Sequence, residues 1–202
     1  MPLWLAAEPL VLASKSEVRR LVLANAGIPV EPYPADIDER GIEAKAATRD
    51  PGEIAALLAH EKARAVAALC PGRLVLGADQ TLALGERRFS KPVGRDGAQA
   101  QLKALRGQTH ALHSAIALMR DGAVVFEDRD VARLTMRAFS DDFLERYLDD
   151  AGAAVTASVG GYQLEKLGIE LFERIDGDHF TILGLPLLAL LAHFRHAGQL
   201  AA

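Results

Sequence analysis

Two short apolar runs, "LVLA" at residues 10–13 and "RLVLGAD" at 73–79, limit what this chain can fold into. Neither alternates, so a strand formed by either is covered on both faces, as in a parallel or mixed sheet with helices on each side. Helical patterns flank both. After the first run, Ser14 to Gly27 reads as a loop and helix, with Ser16 at the N-cap and Gly27 just past the C-terminus. Before the second, a stronger helix begins at Asp50: Pro51 suits its first turn and Asp50 with Glu53 makes a capping box. Its apolar face reads as Ile54, Leu57, Leu58, Ala65 and Leu69, with Lys62 at the margin.

"TLALGERRFSKP" predicts a hairpin-like excursion and Asp96 to Gly107 a capped amphipathic helix. From His110 the residues alternate around an Asp121-Gly122 turn signal, which predicts paired antiparallel strands. Ser140 opens a helix to about Asp150, "GIELFERIDGDHFTIL" predicts two more strands about a turn, and Pro186 starts a closing helix. The acidic stretch "DIDER" at 36–40 reads as irregular. The expectation is one α/β unit over residues 1–202, with a mixed central sheet in two lobes and a cleft between them.

With 27 Asp and Glu against 23 Lys and Arg, the net charge is −4, and no basic tail outweighs the acids. That argues against binding polymeric nucleic acid through its backbone. The apolar amino terminus lacks a basic leader region and is interrupted by Glu8, and "ILGLPLLALLAHF" is shorter than the roughly 20 residues a bilayer span needs. A soluble protein with no membrane partner is expected. The single cysteine, Cys70, cannot pair within the chain, which predicts a reducing cytoplasm and a buried structural thiol.

The chemistry-bearing residues lie at element ends. Ser14 and Ser16 precede a helix N-terminus, where unpaired N–H groups favour an anion, and Arg19 or Arg20 offers a planar fork for phosphate oxygens. A Ser-capped helix with solvated arginines explains the same residues, although cations there oppose the macrodipole by a few tenths of a kcal/mol. Glu17 repels a phosphate unless it satisfies an arginine. Asp79 ends an apolar strand, where α/β sheets commonly place ligands; it can bind a divalent cation, with Asp38 and Glu39, or take a proton from water. A turn or cap role is the plainer alternative. Lys91 precedes a proline that holds it extended, and Lys62 can lay its stem along the core with its head in a cleft. His110 and His113 lack a third ligand at metal-site spacing and read as core or surface histidines.

Taken in order, "SKSEVRR", Gly77-Ala78-Asp79, Lys91-Pro92, the series Leu102, Leu105, Gly107, Thr109, His110, and "LFERIDGDHFTILGLP" resemble the Maf family of nucleoside triphosphate pyrophosphatases. The likeness spans nearly the whole chain. It implies a fold like that of inosine triphosphate pyrophosphatases and hydrolysis between the α and β phosphates, giving a nucleoside monophosphate and pyrophosphate. It further implies Asp79 as proton acceptor with Lys62 and Lys91 beside it, Ser14, Ser16, Arg19 and Arg20 toward the phosphates, and Mg²⁺ or Mn²⁺ on Glu39 and Asp79. A homodimer is also implied. Glu17 stands where the family motif has proline. An extra residue before the arginines, Gln80 after Asp79, and Glu165 in "YQLEKLG" resemble the branch acting on 7-methyl-GTP. Val18 stands where that branch has an aromatic platform, leaving Tyr162 as a ring to replace it. The family's link to septum formation implies a competing role, a nucleotide-responsive binding protein without turnover. Asp79 and the two lysines favour the enzyme, since binding alone needs no base.

Overall fold

The computed structural model describes residues 2–202. In chain order the elements are β1 (Leu10–Leu12), α1 (Glu17–Asn25), β2 (Val30–Pro32), α2 (Glu39–Lys45), α3 (Pro51–Ala67), β3 (Val75–Leu84), β4 (Arg87–Phe89) and α4 (Gly94–Leu105). Then come β5 (Thr109–Arg120), β6 (Ala123–Met136), α5 (Asp141–Ala151), three short 3₁₀ turns, β7 (Phe172–Asp176), α6 (His179–Ile182) and α7 (Leu187–His196). The sheet runs β2-β1-β3-β5-β6-β7, with β4 added on β3. β1 is parallel to β2 and β3, whereas β3, β5, β6 and β7 are antiparallel, so the sheet is mixed, as expected.

The pairing of β3 positions the site. On one edge β1 pairs with it only at Val75 and Leu76, and β4 takes over at Leu82. Between these, Gly77 to Thr81 have no strand partner on that side, and Asp79 sits in the middle of the gap. Three apolar clusters surround the sheet. Leu10, Leu12, Leu23, Leu76 and Phe194 pack with α1 and α7; Val11, Ala55, Ala59, Ala63 and Val75 pack with α3; Leu82, Leu102, Leu112, Leu134 and Leu144 fill the far end beneath α4 and α5.

Local signals formed what they encode. Ser16 accepts from Arg19 N, Asp50 from Glu53 N and Ser140 from Phe143 N, each capping its helix, and Gly27 turns the chain at φ 78°. The hairpin and the β5–β6 pair also form. Four expectations are corrected. "DIDER" enters a helix, α2, because Asp38 caps Gly41 N. α4 begins at Gly94, so Asp96 lies in its first turn and caps nothing. "DHFTIL" is the short helix α6, because Asp178 accepts from Phe180 N and Thr181 N and draws the chain out of strand geometry. On α3 the buried residues are Ile54, Ala55, Leu58, Ala59, Lys62, Ala63 and Val66, while Leu69 is exposed. Small residues are required there: a Cβ at Gly77 would overlap the carbonyl oxygen of Ala59 and come within 2.7 Å of Ala63 N. Cys70 is half-buried at the rim of this cluster rather than inside it.

Candidate active site

β3 alternates its side chains, so Gly77, Asp79 and Thr81 face α3 while Ala78 and Gln80 face α1 and α7. Lys62, in the C-terminal half of α3, reaches the unpaired edge of β3 and places Nζ 2.6 Å from Asp79 Oδ1. Glu39, first residue of α2, brings Oε1 to 2.8 Å from the same ammonium. Lys62 and Asp79 are both buried, and Glu39 is half exposed. Burial raises the carboxyl of Asp79 above the ordinary aspartate range; Lys62 and Arg19 pull it back down, and Glu39 adds to the rise. His110 and His113 take no part, the first being a buried core residue as expected.

The loop after β1 is wound by its own hydroxyls. Ser16 N donates to Ser14 Oγ at 3.2 Å, and Ser16 Oγ serves as the cap of α1. Arg19 crosses beneath: Nε donates to Gly184 O at 2.8 Å, Nη1 to Ala78 O at 2.9 Å and to Ser14 Oγ at 3.2 Å. Its fork is thus held largely by protein oxygens, tying the loop to β3 and to the turn between α6 and α7. Burial pushes its guanidinium below the usual range, with Asp79 and Glu39 opposing.

These elements enclose a cleft of about 800 Å³. Of the residues singled out from the sequence, it gathers Ser14, Ser16, Val18, Arg19, Glu39, Lys62, Asp79, Gln80, Lys91 and Glu165, and leaves out Arg20. Arg20 instead pairs with Glu17 at the cleft's edge, its Nε 2.9 Å from Oε2, so the two charges satisfy each other and Arg20 itself lines nothing. Gln80 commits its amide nitrogen to the protein: Nε2 lies 3.0 Å from each of Ser114 Oγ, Thr181 O and Ile182 O and shares its two hydrogens among them. Tyr162 is no exposed platform either, being 5% exposed, edge-on to Phe172 and bonded through its hydroxyl to His110 Nε2 at 2.7 Å. Glu165 is exposed on the cleft wall. Asp38 caps α2 and is not among the lining residues.

Several polar lining residues are not marked by the sequence, among them Lys15, Arg40, Arg88 and Gln163. Lys15 stood between the two serines, and Arg88 alternates with Phe89 in the hairpin, which are the signals that could have found them. Among the described residues Lys15, Arg40 and Lys91 line the cleft without pairing to a carboxylate, so three cations are free to meet a ligand, beside the equally unpaired carboxylates of Asp36 and Glu165. The arrangement can therefore take a polyanion and present a buried carboxylate to it. Glu39 and Asp79, converging on one ammonium, also form a hard oxygen donor pair. Mg²⁺ sites often use one or two carboxylates completed by substrate phosphates and water, so the pair fits such an ion.

The Maf-like protein family profile matches residues 9–197. A nucleoside triphosphate pyrophosphatase of Rhodopseudomonas palustris (strain BisB18) is 58% identical over 201 residues, 100% of each chain. One from Bradyrhizobium diazoefficiens is 60% identical over 195 residues, 96% of each. A 7-methyl-GTP pyrophosphatase of Rhizobium etli is 49% identical over 193 residues, 95% of this chain and 97% of its own. Among solved structures, a HAM1 protein from Coxiella burnetii matches 65% of this chain and 74% of that one, with a TM-score of 0.44 and 18% identity. Ordered motifs, a profile spanning nearly every residue and full-length relatives agree that this chain belongs to the Maf family.

Proposed function

We propose that the cleft hydrolyses the α–β phosphoanhydride of a nucleoside triphosphate, releasing a nucleoside monophosphate and pyrophosphate. One observation carries this reading: a buried carboxylate, Asp79, held on Oδ1 by Lys62 at 2.6 Å, lies in a cleft that also presents the unpaired cations Lys15, Arg40 and Lys91. In a site that only binds polyanions, such a carboxylate repels its ligand. In a hydrolase it has a task. Asp79, its basicity raised by burial, orients a water through its remaining oxygen and takes the proton as the oxygen–phosphorus bond forms. The bridging bond breaks, and its electron pair leaves on pyrophosphate. Lys62 and Lys91 offset the charge growing on the phosphoryl oxygens, and Ser14 and Ser16 line the path of the chain of phosphates. Arg19 keeps that loop in place. A divalent cation, Mg²⁺ or Mn²⁺, would be held by Glu39 and Asp79 and would supply Lewis-acid polarisation of the phosphoryl group.

For the base, Glu165, exposed on the cleft wall, is a carboxylate that can accept hydrogen bonds from a guanine edge. A 7-methylguanine reading has the support of Glu165 and of the Rhizobium etli relative's name. Val18 and the buried Tyr162 give a cationic base no ring to stack on, which forgoes about 0.5–2 kcal/mol of cation–π energy. The same reading has the protein act in a reducing cytoplasm, with the lone cysteine in support; among the described residues no helix is long and apolar enough to cross a membrane.

The test is a panel of nucleoside triphosphates, with 7-methyl-GTP, dTTP and UTP included, incubated with the protein and Mg²⁺ or Mn²⁺. Pyrophosphate release is the expected result. Orthophosphate release, or nucleotide binding with no product, would overturn it, the latter in favour of the regulatory role.

A further inference from the structure

α2 crosses the cleft without burying any of its seven residues. Charge holds it. Glu39 meets Lys62 of α3 at 2.8 Å, and Glu43, one turn later on the same side of the helix, meets Nη2 of Arg88 in β4 at 3.1 Å. The two cations belong to opposite walls: α3 packs on the cluster containing Val11 and Val75, whereas β4 pairs at Phe89 with Leu82 of the far cluster. Both are partly screened from water, the side chains of Lys62 and Arg88 being 10% and 23% exposed. Arg49 adds a tie at the helix end, donating from Nη1 to Glu43 O at 3.3 Å.

We propose that Arg88 is a positioning residue for the reaction: by fixing Glu43 it sets α2 across the cleft and so delivers Glu39 to Lys62 beside Asp79. The proposal rests on the reading of Asp79 and Lys62 as the reacting centre. A helix without a buried side chain has little local stability of its own, so its few ion pairs decide its orientation. With Glu43 released, α2 pivots about its remaining ties, and Glu39 leaves the ammonium that it shares with Asp79. Arg88 then acts at one remove, on the geometry of the centre rather than on a phosphate.

The experiment compares Arg88→Glu, Glu43→Arg and the double variant that exchanges the two charges. Hydrogen exchange of the α2 amides is read without nucleotide, and kcat and KM are read from pyrophosphate release. Each single variant is expected to exchange faster across α2 and to lose about tenfold in kcat, with KM moving less than about twofold. The exchanged pair is expected to bring both readouts back to within about threefold of the parent. Two results overturn the proposal. If Arg88→Glu raises KM at constant kcat and the double variant stays impaired, Arg88 contacts phosphate directly. If α2 exchange is the same in all four proteins, the pair orients nothing. Because exchange needs no turnover, a parent protein that released no pyrophosphate would remove the reaction reading, while exchange would still decide whether the pair holds the helix.

Discussion

Asp79 and Gln80 are neighbours on β3, and the two faces they serve are built on opposite rules. On the Gln80 side polar groups answer one another through hydrogen bonds within the protein, with Asp130 the one charged member. Its amide spans Ser114, Thr181 and Ile182; Ser114 Oγ donates to Thr181 O at 2.7 Å, and Thr181 Oγ1 to Asp130 Oδ2 at 2.7 Å. On the Asp79 side two carboxylates compete for one ammonium, with Arg19 nearby. A hydrogen-bonded network closed on itself fixes β5 and α6 to β3, whereas a cluster of charges gathered at a cleft is held ready for something from outside.

The strongest way to break this contrast is Asp79→Asn. It is expected to lower kcat for pyrophosphate release by roughly 10²–10⁴-fold, the range of a lost general base. The melting temperature should not fall, because burial disfavours the charge at that position and Glu39 still pairs Lys62. Near-normal turnover in this variant would leave the two faces with the same purpose.

His110 extends the contrast to a titratable group buried without an opposite charge. Only the Tyr162 hydroxyl meets its Nε2, Nδ1 has no partner, and burial lowers its pKa from 6.5 to about 4. The folded protein therefore holds it neutral while the unfolded chain protonates it. Its contribution is fully present above pH 6.5 and is lost progressively as the pH falls to about 4, on the order of 3 kcal/mol in all. Urea midpoints taken from pH 7 to 4 should decline more steeply for the parent than for His110→Gln. Parallel profiles would show that burial is not what keeps this ring uncharged.

Gln80→Leu inverts the Asp79 experiment. Removing the amide leaves the carbonyls of Thr181 and Ile182 without that donor, which is expected to take about 1–3 kcal/mol from stability. Urea unfolding measures it, and kcat should suffer far less than in Asp79→Asn. A variant that folded as firmly as the parent but failed to discriminate among bases would return Gln80 to the cleft as a specificity residue.

How much of this was legible in the sequence depends on the range of the forces involved. Ser16, Asp50, Pro51, Ser140 and the Asp121-Gly122 turn act within a few residues, and each was read correctly. Asp38 and Asp178 act just as locally, yet "DIDER" was read for its charge and "DHFTIL" for its apolar content, so two short helices were missed. Asp79 and Lys91 are marked by position at element ends and Lys62 by its place at the edge of an apolar stripe, and one cleft does gather them. Gln80 and Tyr162 carry no local sign of what holds them, because their hydrogen-bond partners lie 34 and 52 residues away at the nearest. Arg88 gave no local sign of its pairing with Glu43, since the pair joins β4 to α2 only in the folded chain.

Arg19 and Arg20 show the same limit in two adjacent residues, and they yield the smallest predicted effect. Nothing in "SKSEVRR" ranks one above the other. A helix turns about 100° per residue, so consecutive side chains diverge, and here Arg19 lines the cleft while Arg20 does not. Arg19 takes the inner direction and joins three segments through Gly184, Ala78 and Ser14. Arg20 takes the outer one and finds Glu17 one turn back, the residue that replaced the motif's proline. An exposed pair of this kind is screened by water and adds little. Arg20→Ala is therefore expected to leave kcat/KM within about threefold of the parent and the melting temperature nearly unchanged. A loss as deep as that of Asp79→Asn would mean that the side chain abandons Glu17 and swings onto the phosphates when nucleotide arrives, and the clamp would then be built from both arginines.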